Sequence, residues 1–194
     1  MKYDTIAGYV RTAHDIATAH GFHDEKKSDA HFLCLIVSEL MEAVEADRKD
    51  RRADMMGFTQ RVKIHPDFAE RYETYIKGSV EEEFADVVIR IFDLLGEKYP
   101  DGPDAIDCLF DGENFPFGLG ALDSMVTEPQ KGFTFTEKAF YFMYFVLGPD
   151  KGQLIAGVQY MDAWAKQLGF DLDWHIRQKM AFNETRKKLH GKKY

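Results

Sequence analysis

Apolar positions recur at helical spacing along almost the whole chain, and no strongly alternating run marks a strand. The spacing predicts a first helix over about 3–20, stopped by Gly21. A short connection over 22–27 follows, and Ser28 or Asp29 is placed to cap a second helix that runs to about residue 48. The next stretch, 49–78, is polar and holds one short helix over 66–76. Ser79 with Glu82, or Gly78 as cap, begins a long helix to about residue 98. Its first turn is acidic, where the helix dipole favours negative charge. Residues 99–133 have no clear period and are rich in Gly, Pro, Asp and Phe, which reads as an ordered loop insertion. Three helical segments over 136–147, 151–168 and 172–189 close the chain, broken at Gly148-Pro149 and at Gly169. The predicted fold class is all-α: one helical domain over 1–194, a bundle with insertions at about 49–78 and 99–150.

With 194 residues and 45% hydrophobic content, the chain is long enough to bury one substantial core. The formal net charge of −8 argues against binding a nucleic-acid polymer and against docking on an anionic membrane, since both need clustered Lys and Arg. The longest apolar run, 139–148, is too short to span a bilayer, and the N-terminal segment is interrupted by charges. Two cysteines, Cys34 and Cys108, make no disulfide framework, and a reducing, cytoplasmic setting is expected. Cys34 lies in the apolar run 32–37 and is expected in the core.

The acids change the picture more than the totals do. Glu39 and Glu42 lie three apart on the second helix and so share a face, with about 5–6 Å between their Cβ atoms. Projected around the helix, Glu39 falls between Leu35 and Ala43, inside the apolar arc, and Glu42 falls at its edge. Glu83 and Asp86 repeat the spacing on the helix that starts at Ser79, Glu83 bordering its apolar face and Asp86 lying further toward its polar side. If the two helices pack antiparallel, the four carboxylates converge. Like charges about 4 Å apart repel by roughly 4 kcal/mol at an effective dielectric near 20, so such a group calls for a cation. Oxygen-only ligands favour Mg²⁺, with Mn²⁺ also suited, over zinc. A di-iron bundle wants Glu-x-x-His, and no Glu here is followed by His at that spacing.

Other signals carry less. A single acid pair on a helix is ordinarily a solvated face, and Glu45 and Glu82 are read that way. Arg90, one turn after Asp86, reads as its intrahelical partner. His14-Asp15 and His23-Asp24 resemble the dipeptide of HD-type phosphohydrolases, but that site needs further ligands on separate helices. The aromatic run 140–145 reads as core or subunit interface, and Trp164 and Trp174 as core. The basic residues at 186–188 and 192–193 suit a helix C-terminus.

Glu-x-x-Glu on one helix and Glu-x-x-Asp on a later one, with the segments Leu35-Ile36-Val37-Ser38-Glu39-Leu40 and Glu83-Phe84-Ala85-Asp86-Val87-Val88-Ile89-Arg90, resemble the MazG-like all-α nucleoside triphosphate pyrophosphohydrolases, relatives of the dimeric dUTPases. Lys179 and Asn183 near the C-terminus are similar to the family's Lys-x-x-x-Asn segment. The likeness covers about 8–48, 79–96 and 168–194; forty residues separate Glu42 from Glu83, more than the family's pattern leads one to expect. The resemblance implies that Glu39, Glu42, Glu83 and Asp86 bind Mg²⁺, and that Lys179 and Asn183 contact the nucleoside triphosphate substrate. It implies hydrolysis to a monophosphate and pyrophosphate, in a homodimer or higher homo-oligomer. Glu39 or Glu42 would take the proton of the attacking water. The rival reading is a non-catalytic helical module that binds a nucleotide or partner and holds a structural ion.

Overall fold

A computed structural model of the chain describes residues 5–100 and 129–191. The described residues form helices and their connections, with no strand among them. In order, these are α1 (Ile6–Ala19), α2 (Asp29–Arg48), α3 (Met55–Gln60), α4 (Phe68–Tyr75), α5 (Val80–Lys98), α6 (Phe135–Tyr141), α7 (Lys151–Leu168) and α8 (Leu172–Glu184). A π-helical stretch, Phe142–Val146, continues α6, and a 3₁₀ turn, Lys188–Gly191, follows α8. The all-α expectation is met. Cys108 and most of the expected loop over 99–133 lie outside the described residues.

Side-chain caps set the helix starts. The Ser28 hydroxyl accepts from the His31 N–H and fixes α2, and Ser79 accepts from the Glu82 N–H and fixes α5. Gly21 at φ 83° turns the chain after α1, and Gly169 at φ 85° ends α7; both angles favour glycine. Three boundaries differ from the periodicity. The 49–78 stretch holds a second short helix, α3, capped by Asp54. The segment expected over 136–147 widens into the π turn after Tyr141. The last helix stops at Glu184, and the chain returns so that the Leu189 N–H donates to the His20 carbonyl at 2.9 Å.

Helix α5 is the axis of the bundle. Every residue from Val80 to Gly96 is buried except Asp86 and Arg90, which are half-buried. A helix buried all round must be covered on all sides, and α1, α2, α7 and α8 all pack against it. Ion pairs Asp29–Lys98 (2.5 Å) and Glu39–Arg90 (3.1 Å) join the start of α2 to the end of α5 and the middle to the middle, so these helices run antiparallel. Phe84 anchors an aromatic core, its ring centroid 4.8 Å from Trp164 and 5.4 Å from Phe170. Residues 49–78 supply a smaller core of Phe58, Tyr72 and Ile76 against Phe182 of α8, with Trp174 packed on it.

Cys34 is exposed, not in the core. The buried stripe of α2 is Phe32, Ile36, Glu39, Leu40, Ala43 and Ala46. Two residues before Ile36 is about 200° around the helix, so the apolar run carries Cys34 to the outer face. Among the described residues, no helix is long and apolar enough to cross a membrane.

Because the Ser79 cap sets where α5 begins, Ser79→Ala is expected to cost about 1 kcal/mol of stability. Urea denaturation monitored by circular dichroism measures it.

Candidate metal centre and its cleft

Antiparallel packing of α2 on α5 brings three of the four sequence-predicted acids together. One carboxylate oxygen each from Glu39, Glu83 and Asp86 lies within 4.8 Å of the others. Glu39 is 4% exposed and Glu83 6% exposed, so two of the three charges sit in the interior. Glu42 does not join them: it is exposed on α2, near enough for its charge to act on Glu83.

Two cations offset part of this charge. The Arg90 Nε donates to Glu39 Oε1 at 3.1 Å, and its guanidinium lies 5.4 Å from the Phe22 ring centre. Arg90 is thus an interhelical partner of Glu39, not the intrahelical partner of Asp86. Spacing along one helix could not reveal this, because the partner comes from α2. Asp86 instead pairs with Lys179 at 2.6 Å, and Lys179 also donates to Glu82 at 2.5 Å. Lys179 is 5% exposed, so in this structure its ammonium is held by carboxylates. Burial opposes its charge, yet Asp86 and Glu82 hold its pKa above the usual lysine range.

Glu82 was expected to be solvated but is 2% exposed. It accepts from the Gly78 N–H as well as from Lys179, and burial pushes its pKa up. Its signal in the sequence was its capping-box position, three after Ser79, which ties the side chain back to the helix start. Glu83 was placed at the border of an apolar face. In fact α5 is covered on that side too, and burial first, then the charges of Asp86 and Glu82, pushes its carboxyl up to about 9.

Asn183, one turn beyond Lys179 on α8, is 6% exposed, and its Oδ1 has no hydrogen-bond partner among the described residues. It lines a cavity of about 50 Å³ together with Glu39, Asp86, Arg90 and Asp93. That volume suits an ion and water, not a nucleotide. Next to it, sharing Phe22, Arg90 and Asp93, opens a cleft of about 200 Å³ whose walls include Lys27, His31 and Lys188 and also Asp24 and Glu25, with Lys27 paired to Glu25 at 2.7 Å. Lys188 belongs to the basic C-terminal stretch and is paired with Asp24 at 2.6 Å.

The donor set fits a hard divalent cation: oxygen ligands only, a buried carbonyl oxygen without a partner, and a carboxyl that burial and its neighbours drive toward the protonated form. Four carboxylates (Glu39, Glu82, Glu83, Asp86) face two cations (Arg90, Lys179), so a charge of +2 would complete the balance.

In chelator, the raised Glu83 pKa means that the folded state keeps a proton that the unfolded chain releases above its ordinary value of 4.5. Stability is therefore expected to fall as pH rises from there toward about 9. Glu83→Gln should flatten that decline, and Mg²⁺ should offset it in the wild type; thermal melts across pH, with and without Mg²⁺, measure both effects. No family model, curated protein or solved structure matches the chain.

Proposed function

We propose that this centre binds Mg²⁺ and that the protein is a nucleotide pyrophosphohydrolase, acting on a nucleoside or deoxynucleoside triphosphate to give the monophosphate and pyrophosphate. The observation that carries the reading is the meeting of Glu39, Glu83 and Asp86 within 4.8 Å in a largely buried setting, beside a cleft that carries Lys27, Arg90 and Lys188 among Asp24, Glu25 and Asp93. The resemblance to MazG-like enzymes supports it through the same acids and through Lys179 and Asn183.

Glu39, Glu83 and Asp86 would hold the ion. Bound there, Mg²⁺ would neutralise phosphate oxygens and make a water more acidic. Arg90 would orient Glu39 through its hydrogen bond. Glu42, outside the trio and exposed, is the carboxylate left over to take the proton of the attacking water. Lys27 and Arg90 in the cleft wall would meet the phosphate chain, and His31 would lie beside it. Asn183 offers its unpartnered Oδ1 toward the centre. Lys179 would hold Asp86 in place through its ion pair and, as the resemblance implies, add positive charge on the substrate side.

Purified protein incubated with a panel of NTPs and dNTPs and Mg²⁺ should release pyrophosphate from at least one of them. Glu83→Gln and Asp86→Asn should lose both turnover and calorimetric Mg²⁺ binding. Glu42→Gln should keep Mg²⁺ binding and lose about 100-fold or more in kcat. Absence of pyrophosphate with every nucleotide refutes the enzymatic reading. Nucleotide and Mg²⁺ binding without turnover would support the rival, a non-catalytic binding module.

A further inference from the structure

A second cluster of ligating side chains stands on the same axis helix, one turn and more beyond the acids. His14 of α1 and His23 of the turn after it both reach Asp93 of α5. His14 Nδ1 is 3.1 Å from Asp93 Oδ1 and His23 Nε2 is 2.7 Å from the same oxygen. Glu97, one turn after Asp93, lies with its Oε2 at 3.2 Å from His23 Nδ1 and 4.0 Å from His14 Nε2. The two rings meet edge to face at 4.5 Å between centroids.

We infer that His14, His23 and Asp93 form a binding site for a transition-metal dication of the zinc class, separate from the carboxylate centre.

The chain is shaped to bring these groups together. A Cβ on Gly96 would stand 2.6 Å from the His14 Cβ, so only glycine lets α1 lay its histidine against α5 at this point. Gly21, at φ 83°, reverses the chain after α1 and returns His23 to α5, where Phe32 stacks on its ring at 5.5 Å. One nitrogen from each ring and one Asp93 oxygen lie within 4.8 Å of one another. Tetrahedral zinc with bonds of about 2.0–2.1 Å spaces its ligand atoms by roughly 3.3 Å, so small side-chain movements suffice. Imidazole nitrogen with carboxylate oxygen is a donor set for zinc and its neighbours, not for Mg²⁺. If His23 binds through Nε2, its Nδ1–H already faces Glu97, the carboxylate–histidine–metal relay that fixes tautomer and ring orientation. Asp93 is 3% exposed while the His23 and His14 side chains are 10% and 26% exposed, so an ion here would rest on a buried carboxylate and be open on the side of His14 and Glu97.

Titration of the chelator-treated full-length protein with Co²⁺ reads the site through the strong visible bands of a low-coordinate nitrogen–oxygen centre. Wild type should develop these bands to saturation at one equivalent, and Zn²⁺ should displace them. His23→Ala and His14→Gln should abolish them. Glu97→Gln should keep them but weaken affinity by about 10- to 100-fold. Glu83→Gln, in the other centre, should leave them unchanged. In the unaltered protein, Zn²⁺ should shift the ring-proton resonances of His14 and His23, a readout independent of whether any variant folds. Absence of the bands in wild type, bands that survive His23→Ala, or ring resonances unmoved by Zn²⁺ would each overturn the assignment.

Discussion

The structure depends on how α5 carries charge through the middle of an apolar bundle. Covered on every side, the helix nonetheless bears Glu82, Glu83, Asp86, Arg90 and Asp93 over little more than three turns. Unpaired, each buried ion would cost several kcal/mol. Three of the four helices packed on it therefore bring a compensating group: Glu39 from α2 meets Arg90, Lys179 from α8 meets Glu82 and Asp86, and the histidines of α1 and its following turn meet Asp93. These pairs also fix which face of each outer helix turns inward, and breaking one by removing a single partner leaves the other stranded. Packing and chemistry thus share the same residues. Glu83 is the carboxylate for which burial and its neighbours' charges prevail, and its raised pKa marks where positive charge is still needed.

Much of this was legible in the sequence. The caps Ser28 and Ser79, the extent of α2, α5 and α7, and the inward placement of Glu39 follow from side-chain chemistry and the 3.6-residue period alone. The chain is less readable where partners come from far away. Arg90 and Asp86 sit one turn apart on the same helix, yet each pairs with a different helix. Glu42 has the right spacing but stays exposed outside the trio, with its charge still felt by Glu83. His14 and His23 drew attention for the aspartates next to them, whereas their partner is Asp93, seventy or more residues on. The signal for Asp93 was a lone acid in the apolar window Ile91-Phe92-Asp93-Leu94-Leu95, a position that buries a charge whichever way the helix turns.

The segment 49–78 looks like an insertion, but its small aromatic core supports the site. Tyr72 stacks on Phe182 at 4.5 Å between centroids, and the Lys179 ammonium lies 6.0 Å from the Tyr72 ring centre. The segment is also tied to α5, since the Ala53 N–H donates to Glu81 at 2.9 Å. By contrast, Phe140, Tyr144 and Phe145 at the junction of α6 and the π turn are 58%, 70% and 54% exposed, while Phe142 of the same run is fully buried. The run thus divides between core and surface, because the wider π turn rotates successive aromatics away from the bundle.

That α5 is one unbroken rod sets a distance as well as a charge pattern. Asp86 and Asp93 are seven residues apart, which at about 1.5 Å per residue separates their Cα atoms by roughly 10 Å along the axis. Paired-ion phosphoryl chemistry brings its two metals to about 3.5–4 Å. Ions held by the acids and by the histidines would therefore be independent mononuclear centres with Arg90 between them, and neither could bridge an oxygen to the other.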